Sequence, residues 1–212
     1  MIKCNVTVCG TIGRIPVVRA GKEGKQFTTF GVNVQIPVKN AAKKLVEVSA
    51  IQDGGLAEGT AGLTIGTRVE VTGVLTFKKR GEALYLNLNA ASITQVGADK
   101  PDLIQGDMHF RGKLGKTIEM KNDKKGNAYL AFSAFSTEKV GEEFAFTWVR
   151  FVRFSPDRED WLVEKANIEA KGQLELSVYN DRLNIGCRLT ELAKCGISNR
   201  IVHSKLKAYG RL

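Results

Sequence analysis

Gly10-Thr11-Ile12-Gly13-Arg14 recurs in this chain as Gly112-Lys113-Leu114-Gly115-Lys116. The offset of 102 then holds without a gap through Lys22 and Lys124, Gly24 and Gly126, Phe27 and Tyr129, and Phe30 and Phe132. A later block, Val69-Glu70-Val71-Thr72-Gly73, recurs as Ile168-Glu169-Ala170-Lys171-Gly172 at an offset of 99. One small fold is therefore used twice, and any site must be read in two copies. Such a repeat decides the architecture before any single element does.

Around the repeated blocks the hydrophobic pattern has period two. Val6, Val8, Gly10 and Ile12 alternate with Thr7, Cys9 and Thr11. Phe30, Val32 and Val34 alternate with Thr29, Gly31 and Asn33, and Leu84, Leu86, Leu88 and Ala90 with Tyr85, Asn87 and Asn89. This is the signature of half-buried strands. The segments 20–25 and 122–127 read as hairpin loops, with glycine or Asn/Asp available for positive φ. Glycines inside the first strand of each copy mark the bend that a small closed barrel needs at its corners. One stretch per copy has helical character. In copy two it is Asp157–Lys165, with Ser155 as a cap and Pro156 in the first turn. In copy one Gly59 and Gly62 disfavour a regular helix, and a short turn or loop is expected.

Three strands, a short helix and two strands, done twice, predict an all-β chain. The expected architecture is two tandem OB-fold, five-stranded Greek-key barrels, each with at most one short helix. The expected boundaries are 1–97 for the first barrel, 98–105 for a linker, 106–192 for the second and 193–212 for a basic tail that includes Arg200, His203, Lys205, Lys207 and Arg211.

A formal charge of +10 over 212 residues favours a polyanionic partner. No stretch approaches the roughly 20 apolar residues of a membrane helix. Met1-Ile2-Lys3-Cys4-Asn5 runs directly into a strand pattern, so no signal peptide is expected and the location expected is cytoplasmic. Cys4, Cys9, Cys187 and Cys195 form no Cys-x-x-Cys pair, which argues against a zinc site and for buried, reduced thiols. No cofactor is expected. An enzyme is disfavoured, because no phosphate-cradling loop, nucleophile elbow or His/carboxylate cluster is present.

Trp148-Val149-Arg150-Phe151-Val152-Arg153-Phe154 resembles the third-strand motif of bacterial-type single-stranded DNA-binding proteins. In that family a Trp, an Arg two residues on and a Phe six residues on face the DNA. Trp148, Arg150 and Phe154 match all three. Copy one carries Asp53-Gly54-Gly55-Leu56-Ala57-Glu58 and Gly66-Thr67-Arg68-Val69-Glu70-Val71-Thr72-Gly73, which look like the family's helix and the start of its fourth strand. The resemblance covers both barrels and not the tail. It implies sequence-tolerant binding of single-stranded DNA in replication, recombination or DNA transfer. The basic end departs from the acidic tail of cellular members, and points to a phage, plasmid or other specialised version. Two-barrel members reach four barrels as a dimer, so a homodimer is implied here.

Such binding needs cations that follow the backbone and flat rings on which bases stack. Strand alternation puts Trp148, Arg150, Val152 and Phe154 on one face. An arginine at its centre marks that face as outward rather than core. The further candidates in copy two are Tyr179, Tyr129, Phe135, Arg153, Lys124 and Lys125. Copy one carries Glu47, Ser49 and Asp53 where copy two has Trp148, Arg150 and Phe154, and a carboxylate there repels phosphate. Copy one is therefore expected to bind through Phe27, Tyr85 and the basic loops Lys39, Lys43, Lys44, Lys78, Lys79 and Arg80, or to act chiefly in dimerisation. Phe30 and Phe132 are expected in the core, and Trp161 in helix packing. Two other readings stay open: a single-stranded RNA binder, because nothing reads a 2′-hydroxyl, and an assembly protein of a replication or transfer complex.

Overall fold

The computed structural model describes residues 1–38, 41–55, 60–155 and 157–195, with only the backbone of Lys22 and Ala41. Its strands, in chain order, are β1 (Ile2–Ala20), β2 (Gln26–Val38), β3 (Ala41–Asp53), β4 (Arg68–Arg80) and β5 (Ala83–Gln95) in the first copy. The second copy has β6 (Leu103–Asn122), β7 (Ala128–Val140), β8 (Glu143–Arg153), β9 (Asn167–Tyr179) and β10 (Arg182–Lys194). Lys39 and Leu56 to Glu58, and every basic residue of the tail beyond 195, lie outside the described residues.

The strand pairings close two circuits. In the first, β1 is antiparallel to β2 and β4, β2 to β3, and β4 to β5. A parallel contact from Val48 opposite Leu86 to Ile51 opposite Asn89 closes β3 on β5. The second circuit repeats this order with β6 to β10, and Ile185 opposite Val149 starts its parallel closure. The chain is a tandem pair of OB-fold barrels, as the strand count and order predict.

The repeated glycines have a physical reason. The first strand of each barrel serves two neighbours: β1 runs along β4 through Thr11 and then along β2 from Thr11 onward, with register shifts after Ile12. At that crossing the backbones nearly touch. A Cβ on Gly10 would lie 2.3 Å from the Asn33 carbonyl oxygen, and one on Gly112 would lie 2.2 Å from that of Phe135. Only glycine permits this approach. Between β1 and β2 the tight turn takes positive φ at Glu23 and Gly24, and its counterpart takes it at Gly126.

The barrels are joined along their first strands. β1 and β6 pair antiparallel, with Asn5 opposite Asp107. Those two positions are equivalents in the repeat, so the junction is self-complementary about that pair, like a two-fold dimer contact inside one chain. A sheet of six strands, β5-β4-β1-β6-β9-β10, therefore runs across both halves. Farther out, Val38 bridges Val178, the Lys44 ammonium donates to the Asp181 carbonyl, and Arg182 pairs with Glu82 at 3.1 Å.

Within 98–105, a turn returns the Lys100 amide to the Gly97 carbonyl, and β6 begins at Leu103, opposite Cys9. Asp102 there accepts from Arg68 and, at 2.6 Å, from the Gln35 amide, which ties the segment to the first barrel. β10 carries through Lys194, and the Cys195 amide donates to the Asn167 carbonyl at 2.8 Å.

The helix expected over Asp157–Lys165 is absent; its described residues form turns. Leu162 donates to the Glu159 carbonyl at 2.9 Å and Ala166 to Val163 at 3.1 Å, but no consecutive helical ladder forms. Lys165 takes φ of 63°, which ends any right-handed run. Nine residues are too few for a helix to hold without tertiary support, and here packing instead inserts Leu162, fully buried, into the core. Trp161 is half-buried against the same cluster, packing from a turn rather than from a helix. Phe30 and Phe132 are buried, as their parity requires. Phe151 lies 5.0 Å from Phe110 and 5.3 Å from Phe132, ring centre to ring centre, at the middle of the second barrel.

Candidate nucleic-acid interface

β8 alternates cleanly. Thr147, Val149 and Phe151 are buried, while Phe144, Phe146, Trp148 and Arg150 are exposed. Inward residues anchor the strand in the core and so fix the outward ones in a row. Trp148 is 49% exposed, and Phe154, just past the strand end, 57%. The neighbouring strand β7 puts Phe135 opposite Trp148, with centroids 4.9 Å apart, and 5.6 Å from Phe146 in an edge-to-face contact. Tyr129 lies 5.8 Å from Phe154 at the other end of the row. Gly115 leaves room beneath the indole, since a Cβ there would come within 3.0 Å of Trp148.

The result is an uncovered aromatic ladder: Phe144, Phe146, Trp148 with Phe135, then Phe154 with Tyr129. Cations flank it. Arg150 stands between Trp148 and Phe154 and has no ion pair among the described residues. The Arg188 guanidinium lies 5.6 Å from the Phe154 ring centre, within cation–π range, while also pairing with Glu175 at 2.9 Å. Lys124 and Lys125 are exposed on the β6–β7 turn, next to the Tyr129 end. Asp123 shapes that turn by accepting from the Asn127 side-chain amide at 3.0 Å and from the backbone amides of Asn127 and Lys125, and these hydrogen bonds, the side-chain one first, hold its carboxyl below the usual range.

Two expected residues stand apart. Arg153 is on the inward parity and is held by both carboxylate oxygens of Glu159 at 2.8 Å, so the structure does not bring it to this face. Tyr179 is 72% exposed at the tip of the β9–β10 hairpin and makes no ring contact with the ladder. Phe144, Phe146 and Arg188 join the site without having been singled out from the sequence. The two phenylalanines share the parity of Trp148, so the period-two pattern carried the signal.

The first barrel presents a different surface at the matching place. Glu47 lies opposite Asn33 on β2 just as Trp148 lies opposite Phe135 on β7. Arg14 bonds Glu47 at 3.3 Å and the Ser49 hydroxyl at 3.1 Å. Asp53 lies 4.0 Å from Lys25, in the position of Phe154. Phe27 is half-buried, and Tyr85 is exposed with the Arg80 guanidinium 5.8 Å from its ring centre. Lys43 is exposed, Lys44 is engaged with the Asp181 carbonyl, and Lys78 and Lys79 are half-buried on β4.

Burial pushes the Cys4 and Cys187 thiols up to about 12, which leaves them inert as nucleophiles. Cys9 is also buried and Cys195 half-buried. Among the described residues no group of three or more His, Cys, Asp or Glu side chains is placed to hold a metal, and no helix is long and apolar enough to cross a membrane.

No protein-family model matches this chain, and no curated protein matches it. Among solved structures it is similar to the single-stranded DNA binding protein from Thermus aquaticus, at 15% identity over 96% of this chain and 97% of that one, with a TM-score of 0.48. A deletion mutant of that protein gives 18% identity over 92% and 94% and a TM-score of 0.47. The small single-stranded DNA-binding protein from Streptomyces coelicolor is similar at 21% identity over 47% of this chain and 95% of that one, with a TM-score of 0.35. The barrel topology described above stands on this chain's own strand pairings.

Proposed function

We propose that this protein binds single-stranded nucleic acid, DNA foremost, with little sequence preference, and that it acts as a binding protein rather than an enzyme. The observation that carries this is the aromatic ladder of β7 and β8, left open beside Arg150 and Arg188. Flat rings accept any base, because every base has a π-face, and each stacked base contributes roughly 1–3 kcal/mol. The guanidinium and ammonium groups hold the phosphates, which is sequence-blind as well. The stretch from Trp148 to Phe154 also carries the resemblance to the bacterial-type single-stranded DNA-binding family. A role in protecting or organising the strand during replication, recombination or transfer follows from such binding, and a homodimer of this chain would offer four barrels.

The test is quenching of intrinsic tryptophan fluorescence by oligo-dT at several salt concentrations. Stacking on Trp148 gives strong quenching, and affinity falls steeply as salt rises, because neutralised phosphates release counterions. Oligo-U and duplex competitors separate DNA from RNA and single from double strands. Unchanged fluorescence with weak, length-independent binding would sink the proposal.

One observation favours a second role for the first barrel. Leu45 and Ile51 are exposed beside Glu47 and Asp53 on its third strand. An apolar surface bearing carboxylates suits a protein partner better than a phosphate backbone, so this half is the candidate for the assembly function.

A further inference from the structure

The geometry points to a nucleic-acid track that does not end at Trp148 but continues into the groove between the two barrels, where Phe144 and Phe146 stack bases and Lys79 and Arg80 of the other barrel take the phosphates. It rests on the single-strand binding proposed above and names a part of the site that a single barrel does not contain.

The groove has a volume of about 680 Å³. Its second-barrel wall is Phe135, Val140, Phe144, Ala145, Phe146 and Trp148, with the Glu143 carboxylate at one end. Its first-barrel wall is the β4–β5 hairpin at Lys79, Arg80 and Gly81. Phe144 is 59% exposed and Phe146 46%, so neither is needed to fill a core. Phe135 already wedges between Phe146 and Trp148, which leaves the outer faces of these rings, not the gap between them, for bases. Lys79 and Arg80 have no ion pair among the described residues, and Arg80 reaches toward Tyr85, which brings one ring of the first barrel to the same edge. Beyond Phe144 the chemistry reverses. Glu142 is exposed in the β7–β8 turn and Glu143, the first residue of β8, lines the groove at that end; neither has an ion-pair partner among the described residues, and carboxylates repel phosphate. The groove therefore has an aromatic floor, a cationic wall and an acidic stop.

Length gives the inference a measurable form. At about 3.3 Å per residue, the outward row from Phe154 to Phe144 is about 33 Å long, whereas Phe154 to Trp148 alone covers about 20 Å. At about 3.4 Å per stacked nucleotide these correspond to about ten and about six nucleotides. Both fall within the roughly 4–16 nucleotides that one OB barrel accommodates.

The experiment measures the affinity of the full chain for dye-labelled oligo-dT of 4 to about 20 nucleotides by anisotropy. The variants are Phe144→Ala with Phe146→Ala, the matching pair of Leu substitutions, and Lys79→Ala with Arg80→Ala. In the unmodified protein affinity rises up to about ten nucleotides before flattening. The alanine pair flattens at about six and weakens the twelve-mer by about tenfold or more, a larger loss than it causes on the six-mer. The leucine pair behaves like alanine, because leucine keeps apolar bulk but offers no ring. The lysine and arginine pair lowers the log–log salt slope on the twelve-mer by about 1.4, for two phosphates lost. Three results overturn the inference: an unchanged length profile in the alanine pair, rescue by leucine, or an unchanged salt slope. A six-mer that still depends on Trp148 in those cases keeps single-strand binding while removing the groove from its path; a six-mer indifferent to Trp148 removes both.

Discussion

The third strands of the two barrels are the same element with opposite surfaces. Both sit between the second and fifth strands of their barrel, in the same register, with the same inward parity. Outward, β8 shows Phe144, Phe146, Trp148 and Arg150, while β3 shows Lys43, Leu45, Glu47 and Ser49. Even the nearby cation is used differently. Arg14 is occupied by Glu47 and Ser49, whereas Arg150 faces solvent beside rings. A barrel's inward residues fix where a row of side chains stands, and the outward residues alone decide what that row recognises. Two copies of one fold thus need not be two copies of one function.

The largest effect is expected from giving β8 the chemistry of β3. Trp148→Glu with Arg150→Ser removes a stacking ring and a phosphate contact and adds a repelling carboxylate. The expected loss in oligo-dT affinity is about a hundredfold or more, from roughly 1–3 kcal/mol for the ring and a comparable electrostatic contribution. The melting temperature should stay near that of the unmodified protein, because both positions are exposed. Near-normal binding by this variant would place the strand elsewhere.

The reverse exchange asks whether β3 is silent only for want of rings. Glu47→Trp with Asp53→Phe leaves Arg14 and Lys25 without a carboxylate partner and adds two flat surfaces. Anisotropy titration should show a gain of about tenfold on long oligo-dT, together with a larger site size. No gain would mean that the first barrel's face is closed to nucleic acid for reasons beyond its charge. That outcome would strengthen its reading as a protein-binding half.

A smaller effect separates the rings the first barrel already has. Tyr85→Ala and Phe27→Ala should each weaken binding by about two- to threefold, measured against about tenfold or more for Trp148→Ala. Phe27 is half-buried, and Tyr85 lies next to the groove through Arg80. If Tyr85→Ala costs more than Trp148→Ala, the ranking of the barrels is reversed.

The barrels were legible in the sequence because period-two patterning and paired glycines are local, and the repeat supplied each reading twice. The outward positions of Trp148, Arg150 and Phe154 were legible from the period-two patterning alone, since copy one carries other residues there. Other features depended on contacts that spacing does not encode. Arg153 looks like another cation of the motif until Glu159, from a turn six residues on, accepts from its guanidinium with both carboxylate oxygens. Asp157–Lys165 has the composition of a short helix, but the barrel end needs Leu162 as a plug, and packing overrides propensity. The groove between barrels depends on how the two halves are joined, along β1 and β6 and at Val38 and Val178, a junction that no local pattern announces.

The smallest expected effect tests a difference in how the two copies hold their fourth strand. Glu70 and Glu169 are equivalents in the repeat. Glu70 accepts from Lys100 in the connecting segment, whereas Glu169 accepts from Arg111 at 3.0 Å and His109 at 2.6 Å, both on the neighbouring strand β6. Hydrogen bonds from Arg111 first, and from His109 next, hold the Glu169 carboxyl below its usual range. A carboxyl depressed in the folded state adds stability above its unfolded value near 4.3, and that stability is lost as pH falls through the lower folded value. Glu169→Gln should therefore be less stable than the unmodified protein to urea at pH 7, and the gap should close progressively below about pH 4. A gap that persists undiminished at pH 2 would show that the side chain stabilises the β6–β9 pairing by packing and not by charge.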